Sequence, residues 1–140
     1  MGNLIAIDYG TKRTGLAHTD SGQIIASGLT SLATDRVLNY LKEYCKTQTV
    51  DAFVIGEPRQ KDGTSSAIET EILAFISTLK KVFPAILVER YDERFTSKIA
   101  FQTMLDTGLK QKKRRDKGLV DQISATLILQ SYLDFKAHQL

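Results

Sequence analysis

One cysteine, two prolines and no apolar run of membrane-spanning length: the chain of 140 residues is defined first by what it has little of. The single thiol, Cys45, excludes an intrachain disulfide and fits a reducing compartment. No run approaches the roughly 20 apolar residues that cross a bilayer. The N-terminus lacks the basic stretch and apolar segment of a signal peptide. Its opening "MGNLIA" has Gly2, but Ala6 stands where a myristoylation signal wants Ser or Thr. These absences predict a cytoplasmic protein with no membrane partner. Repeats and low-complexity linkers are missing too, so residues 1–140 are expected to form a single domain.

Charge is present but uneven. The net charge is +3, yet "KQKKRRDK", Lys110 to Lys117, holds six basic residues and one acid. Without that stretch the chain carries 13 basic and 15 acidic side chains, a net −2. The basicity is a local patch on a slightly acidic body. Such a patch attracts polyanions, nucleic acid above all, or serves only as a solvated loop. No aromatic residue interleaves it, so it offers phosphate contacts and no base-stacking platform.

The elements follow from periodicity and breakers. "NLIAID", "TGLAHTD" and "IIASGLTSL" are short, partly alternating strands joined by the turns "YGTKR" and "SGQ", which makes them antiparallel neighbours. Thr34-Asp35 is suited to cap a helix with apolar positions at Val37, Leu38, Leu41 and Tyr44. "DAFVIG" is a buried strand, and "EPRQKDGTSS" a loop broken by Pro58 and Asp62-Gly63. Ser65 or Ser66 is placed to cap the next helix, whose stripe is Ile68, Ile72, Phe75, Ile76 and Leu79 and which Pro84 stops. "AILVERYDE" is another strand. A short helix is expected from Thr96 to Leu105, and "GLVDQISATLILQSYLDF" is a last helix, apolar on most sides and so well buried. Strands separated by helices long enough for crossovers lie parallel. The prediction is an α/β fold: a five-stranded mixed sheet, three antiparallel strands and then two parallel ones, flanked by helices.

Ligands in such sheets sit beyond the carboxyl ends of the parallel strands. Asp8 ends the first strand, Glu57 follows the fourth, Glu93 ends the last, and Asp121 lies near the start of the final helix. Each acid alone has an ordinary explanation as a turn former or a helix-start anion. Together they meet at one edge of the predicted sheet. Gathered carboxylates raise one another's pKa unless a cation joins them, and oxygen-rich clusters suit Mg²⁺ or Mn²⁺.

The blocks "AIDYGTKRTGLA", "VIGEPRQKDGT", "YDERFTS" and "VDQISATLILQ" resemble the four signature blocks of the YqgF family, in family order and over nearly the whole chain. That family comprises bacterial RNase H-like proteins described as Holliday-junction-resolvase homologues and as nucleases of the 16S rRNA precursor. The resemblance implies an RNase H-like fold. It also implies a catalytic, metal-binding trio at Asp8, Glu93 and Asp121. The second block departs from the family, since Glu57 stands where an apolar residue is usual. Glu57 is either a fourth ligand or a solvent-facing substitution.

On this reading two divalent ions about 4 Å apart clamp a phosphodiester. Asp8 bridges them, with Glu93 and Asp121 holding one each. Lys12, Arg13 and Arg94 flank the acids as phosphate grips, although Arg13 is also placed to pair with Asp20 or another surface acid. Thr96 and Ser97 contact the backbone or cap the helix. Lys112, Lys113, Arg114 and Arg115 supply the long-range, salt-dependent hold on nucleic acid. The expected substrate is precursor rRNA, with branched DNA as the alternative and the ribosome as a further partner. Two rival classes remain: an ATPase of the actin-like kind, which a chain this short has no room to complete, and a non-catalytic RNA- or ribosome-binding module.

Overall fold

The computed structural model describes residues 1–108 and 117–138. The first strand, β1 (Asn3–Asp8), folds back on β2 (Arg13–Thr19), which pairs with β3 (Ala26–Ala33). A 3₁₀ turn over Thr34–Arg36 leads into α1 (Val37–Thr47). Then come β4 (Val50–Glu57), α2 (Glu69–Val82) and β5 (Leu87–Asp92). A second 3₁₀ turn, Glu93–Phe95, precedes α3 (Lys98–Gly108) and α4 (Lys117–Ala137). The sheet order is β3-β2-β1-β4-β5, with β1–β2 and β2–β3 antiparallel and β1–β4 and β4–β5 parallel, as the sequence predicts.

The two faces of the sheet differ in side-chain size. Ile5, Ile7, Leu16, Phe53 and Ile55 point to one face and pack against Val37 and Leu41 of α1 and Ile72, Ile76 and Leu79 of α2. The residues between them, Leu4, Ala6, Ala17, Ala52 and Val54, point to the other and meet Ala125, Ile128, Leu129 and Tyr132 of α4. Successive strand residues alternate faces, and three of these five strand residues on the α4 face are alanines. The small-residue face lets α4 lie close to the strands. The outer side of α4 buries Ile123 and Leu127 against Phe101, Met104 and Leu105 of α3. This two-sided burial explains a helix that is apolar nearly all round.

The helix starts depart from expectation. No side chain caps α1: its N-cap is Arg36, and the Thr34 hydroxyl instead bonds the Gly10 carbonyl and the Thr14 hydroxyl. Neither Ser65 nor Ser66 caps α2, whose N-cap is Ile68; the Ser66 carbonyl accepts from the Glu69 amide. Backbone carbonyls take the place of a side-chain cap at both starts, Thr34 accepting from the Val37 amide and Ser66 from the Glu69 amide, while the Thr34 hydroxyl ties the turn before α1 to the β1–β2 turn. Ser97 does behave as a cap, its hydroxyl accepting from the Ala100 amide at 3.0 Å. The third strand starts two residues later than its apolar run, leaving Ile24 and Ile25 exposed in the turn.

Candidate active site

Asp8 is the last residue of the central strand, on the α4 face because it continues the alternation of Leu4 and Ala6. Its neighbour on β2 is Gly15. On the other side Ile7 is in register with Ile55, so Gly56 follows beside Asp8 on β4. Both flanking positions therefore lack a side chain on the face where Asp8 points, and an acid lies over each.

Over Gly15 sits the second turn of α4. A Cβ there would come within 2.1 Å of the Asp121 carbonyl oxygen and 3.0 Å of the Asp121 Cβ. Over Gly56 sits Glu93, where a Cβ would meet the Glu93 Oε2 at 2.9 Å and the Ile128 Cδ1 at 2.9 Å. Glycine at these two places permits a close approach that any larger residue would obstruct. The three predicted acids are thus brought to one face, with Asp8 between Asp121 and Glu93.

Their electrostatics record the gathering. The Asp8 carboxyl is pushed up from its ordinary 3.8 to about 7, by burial first and then by the charges of Glu93 and Asp121. Burial also raises Glu93, partly offset by the Arg90 guanidinium, with Asp92 and Glu69 adding repulsion. Arg90 approaches from the opposite face. It donates to Glu69 at 2.8 and 2.9 Å and to the carbonyls of Ile55 and Gly56 at 3.3 and 3.1 Å, bracing the end of β4. The sequence reading missed Arg90, Gly15 and Gly56. A glycine inside each of two apolar strands was the available signal for the last two.

Asp121 is tied to β2 and β3. Arg13 Nε donates to its Oδ2 at 2.8 Å, and Ser31 Oγ donates to the same oxygen at 3.1 Å. Arg13 therefore pairs with Asp121 and not with Asp20, whose carboxylate accepts from the Ile24 and Ile25 amides. Ser31, a neighbour of Gly15 across the β2–β3 pairing, carried no signal in the sequence.

Lys12 is exposed in the β1–β2 turn, and its carbonyl accepts from the Thr34 amide. Arg94 is committed to Asp92, with contacts of 2.7 and 3.1 Å. The Thr96 hydroxyl donates to the Glu93 carbonyl at 2.8 Å and so steadies the turn that carries the acid. Lys112, Lys113, Arg114 and Arg115 lie outside the described residues.

Glu57 is separated from the trio. It continues the alternation of Phe53 and Ile55 onto the α1–α2 face and pairs with Arg59 at 2.9 Å. The charges that act on Asp8 are those of Glu93 and Asp121. Glu93, one residue past the end of β5, takes the position beside Gly56 that Glu57 does not reach.

The donor set fits a divalent cation in chemistry. Three carboxylates supply hard oxygen ligands, and the Asp8 carboxyl, raised by burial and further by Glu93 and Asp121, sits where repulsion among the acids favours a positive charge. Among the described residues no three His, Cys, Asp or Glu side chains stand close enough to hold an ion without rearrangement. The Asp121 carboxylate is turned onto Arg13 and Ser31, so it must rotate to serve as a ligand. Beside Glu93 a cleft of about 330 Å³ opens between α3 and α4, lined also by Ser97, Phe101, Ser124 and Ile128.

A family model described as RuvX, Holliday junction resolvase, matches residues 2–135. A Flavobacterium johnsoniae protein named "Putative pre-16S rRNA nuclease" is 52% identical over 97% of this chain and 99% of its own length. A Parabacteroides distasonis protein of the same name is 50% identical over the full length of both. Among solved structures, Thermus thermophilus RuvC superposes with a TM-score of 0.56, covering 96% of each chain at 19% identity, a likeness of fold. The sheet is the RNase H-like one that RuvC shares. With a family match over nearly every residue and relatives at half identity along their whole length, the chain belongs to the RuvX family, the YqgF family of its sequence blocks.

Proposed function

We propose that this protein is a metal-dependent endonuclease, carried by one domain over residues 1–140, that hydrolyses phosphodiester bonds in structured nucleic acid. Its substrate on this reading is the precursor of 16S rRNA, met in the cytoplasm, with the ribosome as a further partner. The observation that carries the proposal is the seating of Asp8 between Glu93 and Asp121 on a single face of the sheet. Relatives at 50–52% identity bear the name of that activity.

Asp8, Glu93 and Asp121 are the residues that would hold Mg²⁺ or Mn²⁺. Such an ion, when bound, lowers the pKa of a coordinated water and neutralises charge on the leaving oxygen. The chain's own residues do the rest. Asp8, whose carboxyl is raised to about 7, would release its proton to solvent on serving as a ligand. Arg13 exchanges Asp121 for a phosphate oxygen of the substrate, and Lys12 contacts the backbone from the adjacent turn. Thr96 and Arg90 keep the Glu93 turn and the end of β4 in place. Lys112, Lys113, Arg114 and Arg115 provide the salt-sensitive hold that brings the polyanion to the acids.

The family description favours a second substrate, a Holliday junction in DNA. One experiment addresses both. Labelled precursor rRNA and a four-way DNA junction are incubated with wild type and Asp8→Asn in Mg²⁺ or Mn²⁺. The rRNA is expected to be cut and the junction left intact. Asp8→Asn should lose more than the roughly 10–100-fold typical of an outer-shell change. Equal cleavage by both proteins would indicate a contaminant and favour a binding-only module.

A further inference from the structure

Phe95 stands two residues beyond Glu93 and is 68% exposed. A ring so open to water adds little to the core, yet its orientation is held. The Arg94 guanidinium lies over it, 5.6 Å from the ring centroid, and is itself fixed by both oxygens of Asp92. Phe95 also lines a groove of about 550 Å³ along the exposed side of α4, with Tyr91, Ser97, Ser131, Asp134 and Phe135. Tyr91 and Phe135 meet edge to face, 6.3 Å apart, and form an aromatic wall.

The groove adjoins the cleft beside Glu93. Ser97 lines both this groove and the neighbouring cleft that contains Glu93. Glu93 and Phe95 are the two ends of one 3₁₀ turn, so a strand whose phosphate sits at the acids passes beside Phe95. The chemistry of the groove selects among occupants. Its aromatic surfaces suit a flat π system, its serine hydroxyls and Asp134 suit the polar edge of a base, and Arg94 behind the ring adds positive charge beside a polyanion.

We propose that this groove seats an unpaired nucleobase of the substrate strand, stacked on Phe95 next to the phosphate held at the carboxylates. The proposal rests on the nuclease reading of the site and adds to it a preference for single-stranded segments. A base inside a duplex already has both faces stacked, so it must leave the helix to use Phe95. Stacking on an aromatic side chain tolerates any base, which makes the selection one of strandedness and not of sequence. The aromatic platform that the basic run of Lys110 to Lys117 lacks is thus supplied beside the acids.

The test separates stacking from cleavage. Single-stranded RNA carrying 2-aminopurine, and the same sequence in a duplex, are bound to Asp8→Asn with and without Phe95→Ala, while cleavage by wild type and by Phe95→Ala alone is followed in parallel. Quenching of 2-aminopurine by Asp8→Asn is expected on the single strand. Adding Phe95→Ala should abolish it and weaken single-strand binding roughly tenfold, with duplex binding changed less than about twofold. Phe95→Trp should restore both readouts, which a merely structural loss would not allow. Unchanged quenching and affinity in Phe95→Ala, or equal losses on single strand and duplex, would overturn the platform. Should wild type cleave nothing while quenching depends on Phe95, the nuclease reading fails and the platform stands. Should cleavage proceed while quenching ignores Phe95, the reverse holds.

Discussion

The Asp8 carboxyl, pushed up to about 7, keeps its proton at pH values where an ordinary aspartate has lost it. The consequence for stability has a definite sign. An acid whose folded pKa lies above its unfolded value binds more protons folded than unfolded, so it favours the fold at low pH. That contribution is full below the ordinary 3.8 and is lost as pH rises to about 7. The metal-free protein should therefore lose stability across this interval, and Glu93, raised in the same direction, adds to the slope. Asp8→Asn carries no charge to lose. Thermal melts without metal should show a shallower decline for the variant and, at pH 8, a Tm about 3 °C or more above wild type, since each kcal/mol is worth a few degrees in a chain of this size. A variant that melts below wild type at pH 8 would mean that the Asp8 charge is already compensated in the folded protein. Asp8 was readable from the sequence as an acid at the end of an apolar run. The trio it joins was expected too, but the hold of Arg13 and Ser31 on Asp121 was not, because those tertiary contacts span 90 and more residues.

At the scale of elements, the site depends on how closely α4 lies on the sheet. Gly15 and Gly56 allow the approach in different ways. At Gly15 a Cβ meets backbone, the Asp121 carbonyl at 2.1 Å, so Gly15→Ala must push the start of α4 away. Overpacking of this kind costs about 1–3 kcal/mol, readable in urea unfolding, and Mn²⁺ binding followed by calorimetry should weaken along with stability. At Gly56 the Cβ meets side-chain ends, Glu93 and Ile128, which can rotate aside. Gly56→Ala should cost under about 1 kcal/mol while still displacing Glu93 and weakening Mn²⁺ roughly tenfold or more. Equal effects of the two substitutions would argue against separate seats for Asp121 and Glu93. The elements themselves were largely legible. Alternation marked the strands, and the stripe at Ile68, Ile72, Phe75, Ile76 and Leu79 marked α2. The caps were not: the Thr34 hydroxyl is taken by long-range partners at Gly10 and Thr14, and at α2 the Ser66 backbone carbonyl accepts the Glu69 amide in place of a side-chain cap. Strand parity puts Ile5 and Ile7 on one face and Leu4, Ala6 and Asp8 on the other.

Over the whole molecule, charge is divided between a slightly acidic body and the basic stretch that precedes α4. This division predicts two separable contributions to substrate binding. Neutralising Lys112, Lys113, Arg114 and Arg115 should weaken nucleic-acid binding and reduce the slope of log affinity against log salt by up to about 3. Mn²⁺ affinity, set by the three acids, should stay within about twofold of wild type. Filter binding over a salt series measures the first and calorimetry the second. An unchanged salt slope would locate the polyanion contacts elsewhere on the surface. Among the described residues no helix is long and apolar enough to cross a membrane, in line with the lack of long apolar runs.

What the sequence determined by itself was local. Apolar alternation, turn residues and crossover lengths follow from covalent order and near neighbours, and they were enough for five strands, their directions and the positions of three acids along the chain. Tertiary structure alone decided which acids share a face. Glu57 and Glu93 both follow strands and both looked eligible, but one-residue parity sends Glu57 to the α1–α2 face beside Arg59, while a short turn brings Glu93 over Gly56. The same holds for Arg94 and Phe95, whose pairing beside an open groove depends on where a turn ends and a helix begins. Direction along a strand is written in the residues of that strand. Proximity between strands and helices arises only when the core closes, and the chemistry of this site is a matter of proximity.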